Sequence, residues 1–177
     1  MPTSTLLTID DFERLPQEMA KNRELVNGEL VDVSGNNPEH NWLRDYLVEL
    51  LRPLVRKQKL GRVISEQEYD FSGNAHGPDV SFFGIEKLPM VDRHKRVQRF
   101  VPDLAIEISS PSDTYDGLLR KKQRYLDAGT QEVWLISLET REVAVFPESR
   151  IYRGSDRLAT SLIPGFSITV DELFRED

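Results

Sequence analysis

The chain has 177 residues, 38% of them hydrophobic and 30% charged, with a formal net charge of -7; this fits one globular domain, expected over 1–177, with room for a real core. It has no cysteine, which excludes disulfides and thiolate metal sites, and no apolar run long enough to span a membrane. The acidic balance speaks against a protein that coats itself in nucleic acid and leaves room for a local basic surface; with no basic-then-apolar leader pattern at the start, the expected location is the cytoplasm.

Thr8 to Met19 reads as a short helix with Thr8 as N-cap. Arg23 to Gly35 holds two β-rich pieces around Asn27-Gly28, a strong hairpin signal. Pro38 to Lys59 is the best helix: Leu43, Leu47, Leu50 and Leu54 recur at three- and four-residue steps. Pro53 is expected to kink or shorten it. Gly61 to Phe71 and Gly77 to Phe83 read as strands. The interval from Gly84 to Phe100 has little periodicity and carries "DRHKRVQRF"; a loop of that length is expected to be functional or mobile. A strand follows at Val101 to Ser109, then a helix from Tyr115 to Ala128 closed by Gly129, a strand at Glu132 to Ser137, and its hairpin partner within Arg141 to Ser149. Short strands and a terminal turn complete the chain. This order favours an α/β fold, a mixed β-sheet flanked by helices. Trp42 and Trp134 are expected in the core, and Ser110 and Ser112 in a turn and helix N-cap.

Two strands carry acids where apolar residues are the rule. In "VPDLAIEISSPSD" the strand period puts Leu104, Ile106 and Ile108 on one face and Glu107 on the other. In "HGPDVSFF", Asp79 lies opposite Val80 and Phe82. If these strands are neighbours the two carboxylates converge, and close carboxylates call for a cation. With oxygen donors only, the natural choice is Mg²⁺ or Mn²⁺ keeping several waters. The next helix, "LLRKKQRYLDAG", brings Lys121 level with Glu107 if it folds back along the strand. On its wheel Lys122 falls in the middle of the apolar stripe and Lys121 at the edge, so spacing leaves both open. Two acids and a lysine around one metal form a hydrolytic arrangement: the metal polarises a phosphate oxygen and the lysine stabilises developing charge.

Pro78-Asp79 followed by "IEIS" at Ile106–Ser109 resembles the PD-(D/E)XK nuclease superfamily. Its usual lysine stands two residues after the acid, and here Ser109 fills that place. "PDVSFF…PDLAIEISSPSD…KKQRYLDAGTQEVWLIS" is similar to the Uma-two family, a restriction-endonuclease-like group long described as a domain of unknown function. Lys121 stands four residues before Tyr125, as the family's Lys-x-x-x-Tyr pattern asks. The resemblance therefore implies that the catalytic lysine has moved to the helix, and it favours Lys121 over Lys122. Glu24 and His40 sit at the family's recurring acid and His positions. The likeness runs from about Glu24 to Ser137 and implies a restriction-endonuclease-like domain that hydrolyses phosphodiester bonds in DNA, with Asp79 and Glu107 on the metal.

Three basic clusters stand out, at Arg56 to Lys59, Arg93 to Arg99 and Arg120 to Arg124. The middle one, between the two acids, is the expected grip on a phosphate backbone. No motif that reads base sequence is present, so contacts to backbone and shape are expected. A homodimer would give a duplex-cutting nuclease two sites, though the chain itself does not show one. The rival reading is a nuclease-fold module without catalysis that binds nucleic acid or a protein partner; a third is action on RNA or single strands.

Overall fold

The computed structural model describes residues 6–33, 37–110 and 113–175. Helix α1, Ile9–Arg14, starts at a capping box in which Thr8 and Asp11 satisfy each other's backbone N–H groups. The single helix expected here is two pieces. Leu15 is extended before Pro16, as a pre-proline residue prefers, and the chain restarts as α2, Gln17–Ala20. Strands β1 (Arg23–Val26) and β2 (Glu29–Asp32) form the expected hairpin. Asn27 and Gly28 both have positive φ, 50° and 80°, as its two-residue turn requires.

Helix α3, Pro38–Gln58, is capped by Asn37, whose side chain accepts the His40 N–H. It continues through Pro53 and ends at Lys59 in the left-handed region. The strand expected over 61–71 is broken: Glu66 has φ 55° and separates β3 (Gly61–Ser65) from β4 (Glu68–Phe71). Strands β5 (Asn74–His76) and β6 (Val80–Gly84) follow.

The interval after β6 is not the free loop anticipated. It holds a 3₁₀ helix, Ile85–Met90, and strand β7, Val97–Gln98, which pairs parallel with β4. The buried Gln98 side chain bonds backbone groups of Asp92 and Lys95. Three of its basic residues are engaged with acids of other elements, while Arg93 is exposed: Arg96 pairs with Glu68 and lies over the Phe12 ring, Lys95 pairs with Glu13, and Arg99 pairs with Asp10, Glu13 and Asp70.

Strand β8 (Leu104–Ile108), α4 (Tyr115–Asp127) and β9 (Glu132–Ser137) form a βαβ unit with β8 and β9 parallel. Thr114 caps α4, and Ser112 lies outside the described residues. Strands β10 (Glu142–Phe146), β11 (Arg150–Arg153), β12 (Arg157–Ala159) and β13 (Ser167–Thr169) and helix α5 (Val170–Leu173) complete the chain.

The strands form a six-stranded mixed sheet, β11-β10-β9-β8-β6-β3, a five-stranded sheet, β2-β1-β5-β4-β7, and the hairpin β12-β13. One face of the six-stranded sheet packs Val80, Phe82, Leu104, Ile106 and Trp134 against Leu47 and Leu51 of α3. Its other face packs Phe83, Ala105 and Val133 against Tyr125 of α4 and Tyr69 and Phe71 of β4. Coverage on both faces explains why every residue of β6 and β8 is buried. Trp134 is fully buried as expected, whereas Trp42 is 71% exposed. The buried stripe of α3 runs through His40, Leu43, Leu47, Leu51 and Val55, and at 100° per residue Trp42 falls on the opposite side. No described helix is long and apolar enough to cross a membrane.

Candidate functional site

The sheet register brings the two strand acids together. Strand β6 runs antiparallel to β8 with Val80 opposite Ile106, so the next step sets Asp79 against Glu107. The Ile108 N–H donates to Asp79 Oδ2 at 2.7 Å. Alternation along β8 sends Ile106 and Ile108 into the α3 core and turns Glu107 toward α4. Asp103, on the same strand face, has a different duty: it is buried and tied to Lys87, the Gly84 N–H and Gln131.

Helix α4 folds back over this face and delivers Lys121. Its Nζ lies 3.1 Å from Glu107 Oε2 and 3.0 Å from Glu24 Oε1 of β1. One turn later the Tyr125 hydroxyl donates to Glu107 Oε1 at 2.5 Å. Lys122 turns away, with Nζ 4.4 Å from the centre of the Phe146 ring and 3.4 Å from Gln123 Oε1. Ser109 also stands apart from the acids: its Oγ accepts the Leu138 N–H at 3.3 Å.

Two histidines hold the acids from behind. His40 Nε2 lies 3.2 Å from Asp79 Oδ2 and 3.1 Å from the Ile108 carbonyl. Both neighbours are acceptors, so this nitrogen carries the proton. His76 Nδ1 lies 2.9 Å from Glu24 Oε2 and donates to it by the same logic. Both rings are buried, and His40 Nδ1 and His76 Nε2 have no hydrogen-bond partner among the described residues. Sequence reasoning missed His76 and Tyr125 as members of this cluster. The signal for Tyr125 was its place one turn after Lys121; for His76 it was only nearness to Asp79, which does not reveal the cross-sheet contact to Glu24.

The electrostatics follow from two buried carboxylates, Glu24 and Glu107, and the partly exposed Asp79 sharing one ammonium. Burial alone would raise the Glu24 carboxyl, but the Lys121 charge and the His76 hydrogen bond outweigh it and lower its pKa to about 2. Glu107 goes the other way, to about 8: burial pushes it up, Asp79 and Glu24 add to the push, and Lys121 with the Tyr125 hydroxyl offsets only part. Burial would lower Lys121, yet Glu107 and Glu24 hold it above its ordinary value. His40 is raised: burial opposes its charge, and the Asp79 carboxylate and Ile108 carbonyl more than compensate. His76 is lowered by burial, against the pull of Glu24. The crowding of carboxylates around one ammonium thus favours a proton on Glu107 at neutral pH.

These groups lie along a cleft of about 700 Å³ between the β1–β2 hairpin and the N-terminal half of α4. Asp79 makes its contacts through Oδ2, leaving Oδ1 without a hydrogen bond among the described residues. Among those residues no group of three or more acidic or imidazole side chains is arranged to hold a metal. A pair of carboxylates, Asp79 and Glu107, nevertheless fits Mg²⁺ or Mn²⁺. Such ions keep several waters, bind through one or two carboxylates and complete their shell on substrate phosphates. A cation there would take the place of the proton that the crowded carboxylates favour on Glu107.

No protein of curated function matches the chain. Among solved structures it is similar to "a putative nuclease belonging to DUF820" from Anabaena variabilis, at 23% identity and a TM-score of 0.84, covering 95% of this chain and 97% of the other. That likeness establishes the fold, an α/β arrangement of mixed sheets flanked by helices. The family model Uma2, described as "Putative restriction endonuclease", matches residues 9–171. With both the fold and the match over nearly its full length in hand, the chain belongs to the Uma2 family.

Proposed function

We propose that this protein is a metal-dependent endonuclease that hydrolyses phosphodiester bonds in DNA. The observation that carries the reading is Lys121, held 3.1 Å from Glu107 and 3.0 Å from Glu24 in an open cleft beside Asp79. Asp79 and Glu107 would hold the divalent cation. When bound, it would supply Lewis-acid polarisation of the phosphate and a water of lowered pKa.

The chain's own residues do the remaining work. Lys121 places a positive charge beside the reacting centre, where it stabilises the attacking hydroxide and the charge that grows on phosphate oxygen. It reaches this place from the helix, while Ser109, at the strand position, accepts the Leu138 N–H. Glu24 and Glu107 fix its ammonium between them. His76 donates to Glu24 and His40 donates to Asp79, which hold both carboxylates in one orientation. The Tyr125 hydroxyl does the same for Glu107.

The test is nicking of supercoiled plasmid with Mg²⁺ or Mn²⁺, with cation binding followed by calorimetry. Wild type is expected to bind and nick, Glu107→Gln to lose both, and Lys121→Ala to keep cation binding while nicking falls by at least ~100-fold, within the range for loss of a group that stabilises transition-state charge. Wild-type protein that binds neither cation would overturn the proposal in favour of a non-catalytic module.

A further inference from the structure

The cleft has two unlike walls. The basic residues lining it are Arg23, Arg96, Arg120, Lys121 and Arg124, among seven acids of which Glu24, Asp32, Glu66, Glu68 and Glu107 pair with Lys or Arg. Three have acidic partners: Arg23 pairs with Asp32, Arg96 with Glu68, and Lys121 with Glu24 and Glu107. Arg120 and Arg124 have no ion pair among the described residues. They stand four residues apart on α4, one turn on the same helix face, flanking the lysine that meets Glu107. Arg124 is half-buried. A guanidinium in that setting without a carboxylate keeps its donors free for an anion.

The opposite wall, the β1–β2 hairpin, sets exposed valines beside the Arg23–Asp32 pair and Glu24. Val26, Val31 and Val33 of the β1–β2 hairpin line the same cleft, and Val31 and Val33 are 43% and 37% exposed. The loop over residues 93–99, by contrast, has Lys95, Arg96 and Arg99 committed to acids of α1 and the five-stranded sheet. It is not the free grip on a backbone.

We propose that the cleft takes a single unpaired nucleic-acid strand, with phosphates held by Arg120 and Arg124 and with sugars and bases laid against Val31 and Val33. This rests on the endonuclease reading and names its substrate form. An intact duplex offers a protein groove charged phosphates and keeps base faces stacked inside. Only an unpaired strand offers both a row of phosphates for the arginines and apolar base faces to cover the valines. The guanidinium forks suit the phosphates better than a lysine row would.

The experiment uses the full chain without divalent cation. Binding of a fluorescent single strand of about 12 nucleotides, within the span one such groove covers, and of the matching blunt duplex is followed by anisotropy across a salt series. The single strand is expected to bind at least tenfold more tightly than the duplex. R120A/R124A is expected to weaken it about tenfold and to lower the log–log salt slope by about 1.4, at roughly 0.7 for each single-strand phosphate left unneutralised. V31S/V33S is expected to weaken it a few-fold with the slope unchanged, because no charge is removed. R93A, on the exposed loop, serves as the control. Equal or tighter duplex binding overturns the proposal, as does an unchanged salt slope in R120A/R124A. Plasmid nicking by the same wild-type preparation separates the two readings. Nicking with an unchanged slope refutes the arginine wall alone; absence of both nicking and binding refutes the nuclease reading with it.

Discussion

Replacing Lys121 with methionine keeps most of the stem's volume and removes the one ammonium that three carboxylates share. In the folded chain Glu24 drops from its ordinary value of 4.5 to about 2, with burial opposing and Lys121 the largest lowering influence. Each tenfold change in proton affinity is worth about 1.4 kcal/mol, so the folded state gains about 3 kcal/mol from ionised Glu24. Because this pKa is depressed, the gain is present above pH 4.5 and is lost as the pH falls toward 2. Lys121→Met should therefore be less stable than wild type at about pH 7, by an amount on the order of 3 kcal/mol because burial and the His76 hydrogen bond, which remain, act in opposite directions. The gap should close between pH 4.5 and 2, where Glu24 takes up a proton in both proteins. Glu107 adds little to the gap, because its own pKa already stands at about 8 and it can meet the loss by binding a proton. Urea unfolding followed by the fluorescence of buried Trp134 at about pH 7, 4.5 and 3 measures the gap directly. A loss that is the same at all three pH values would refute the charge argument and assign the effect to packing.

Glu107→Gln should be more stable than wild type in metal-free buffer, by more at about pH 8 than at about pH 5. The Glu107 pKa is raised on folding, so ionising it costs stability as the pH climbs from 4.5 through 8, and thermal unfolding at the two pH values checks the sign. Adding Mn²⁺ should raise the melting temperature of wild type and not of Glu107→Gln. Tyr125→Phe removes the donor to Glu107 and should cost about 1–2 kcal/mol by urea unfolding, with Glu107 moving further up when its carboxyl is titrated by NMR. Lys122→Ala should leave nicking unchanged and cost about 0.5–1 kcal/mol by removing the ammonium that lies over Phe146. Leu47→Ala, at a fully buried α3 position against the six-stranded sheet, should cost about 2–5 kcal/mol, which differential scanning calorimetry would register.

Local pattern reached a long way in this chain. Apolar spacing placed α3, α4, β6, β8 and β9; Asn27-Gly28 set the first hairpin; alternation put Asp79 and Glu107 on one face. These features depend on periods of about 2 and 3.6 residues and on turn chemistry, all written within a few residues of one another. The largest error lies where distant contacts overrule local preference, and a smaller one where a local period was not followed. The stretch from 84 to 100 looked loose because its order comes from Gln98, from β7 pairing with β4, and from arginines bound to acids far along the chain. Trp42 looked like core because it is a tryptophan beside leucines, yet the wheel of α3 turns it outward.

The same division holds at the site. Sequence by itself determined which acids could meet, since β-strand alternation fixes a side chain's face wherever the strand ends up. Helical spacing left Lys121 and Lys122 both open and the family pattern favoured Lys121; the tertiary structure sets the Lys121 Nζ 3.1 Å from Glu107. Adjacent residues on a helix point about 100° apart, and which of them meets Glu107 depends on how α4 rotates as it packs on β8 and β9. The tertiary structure alone brought Glu24 and His76, 52 residues apart in the chain, to within 2.9 Å. That contact belongs to the pairing of β1 with β5, a choice made by the whole sheet.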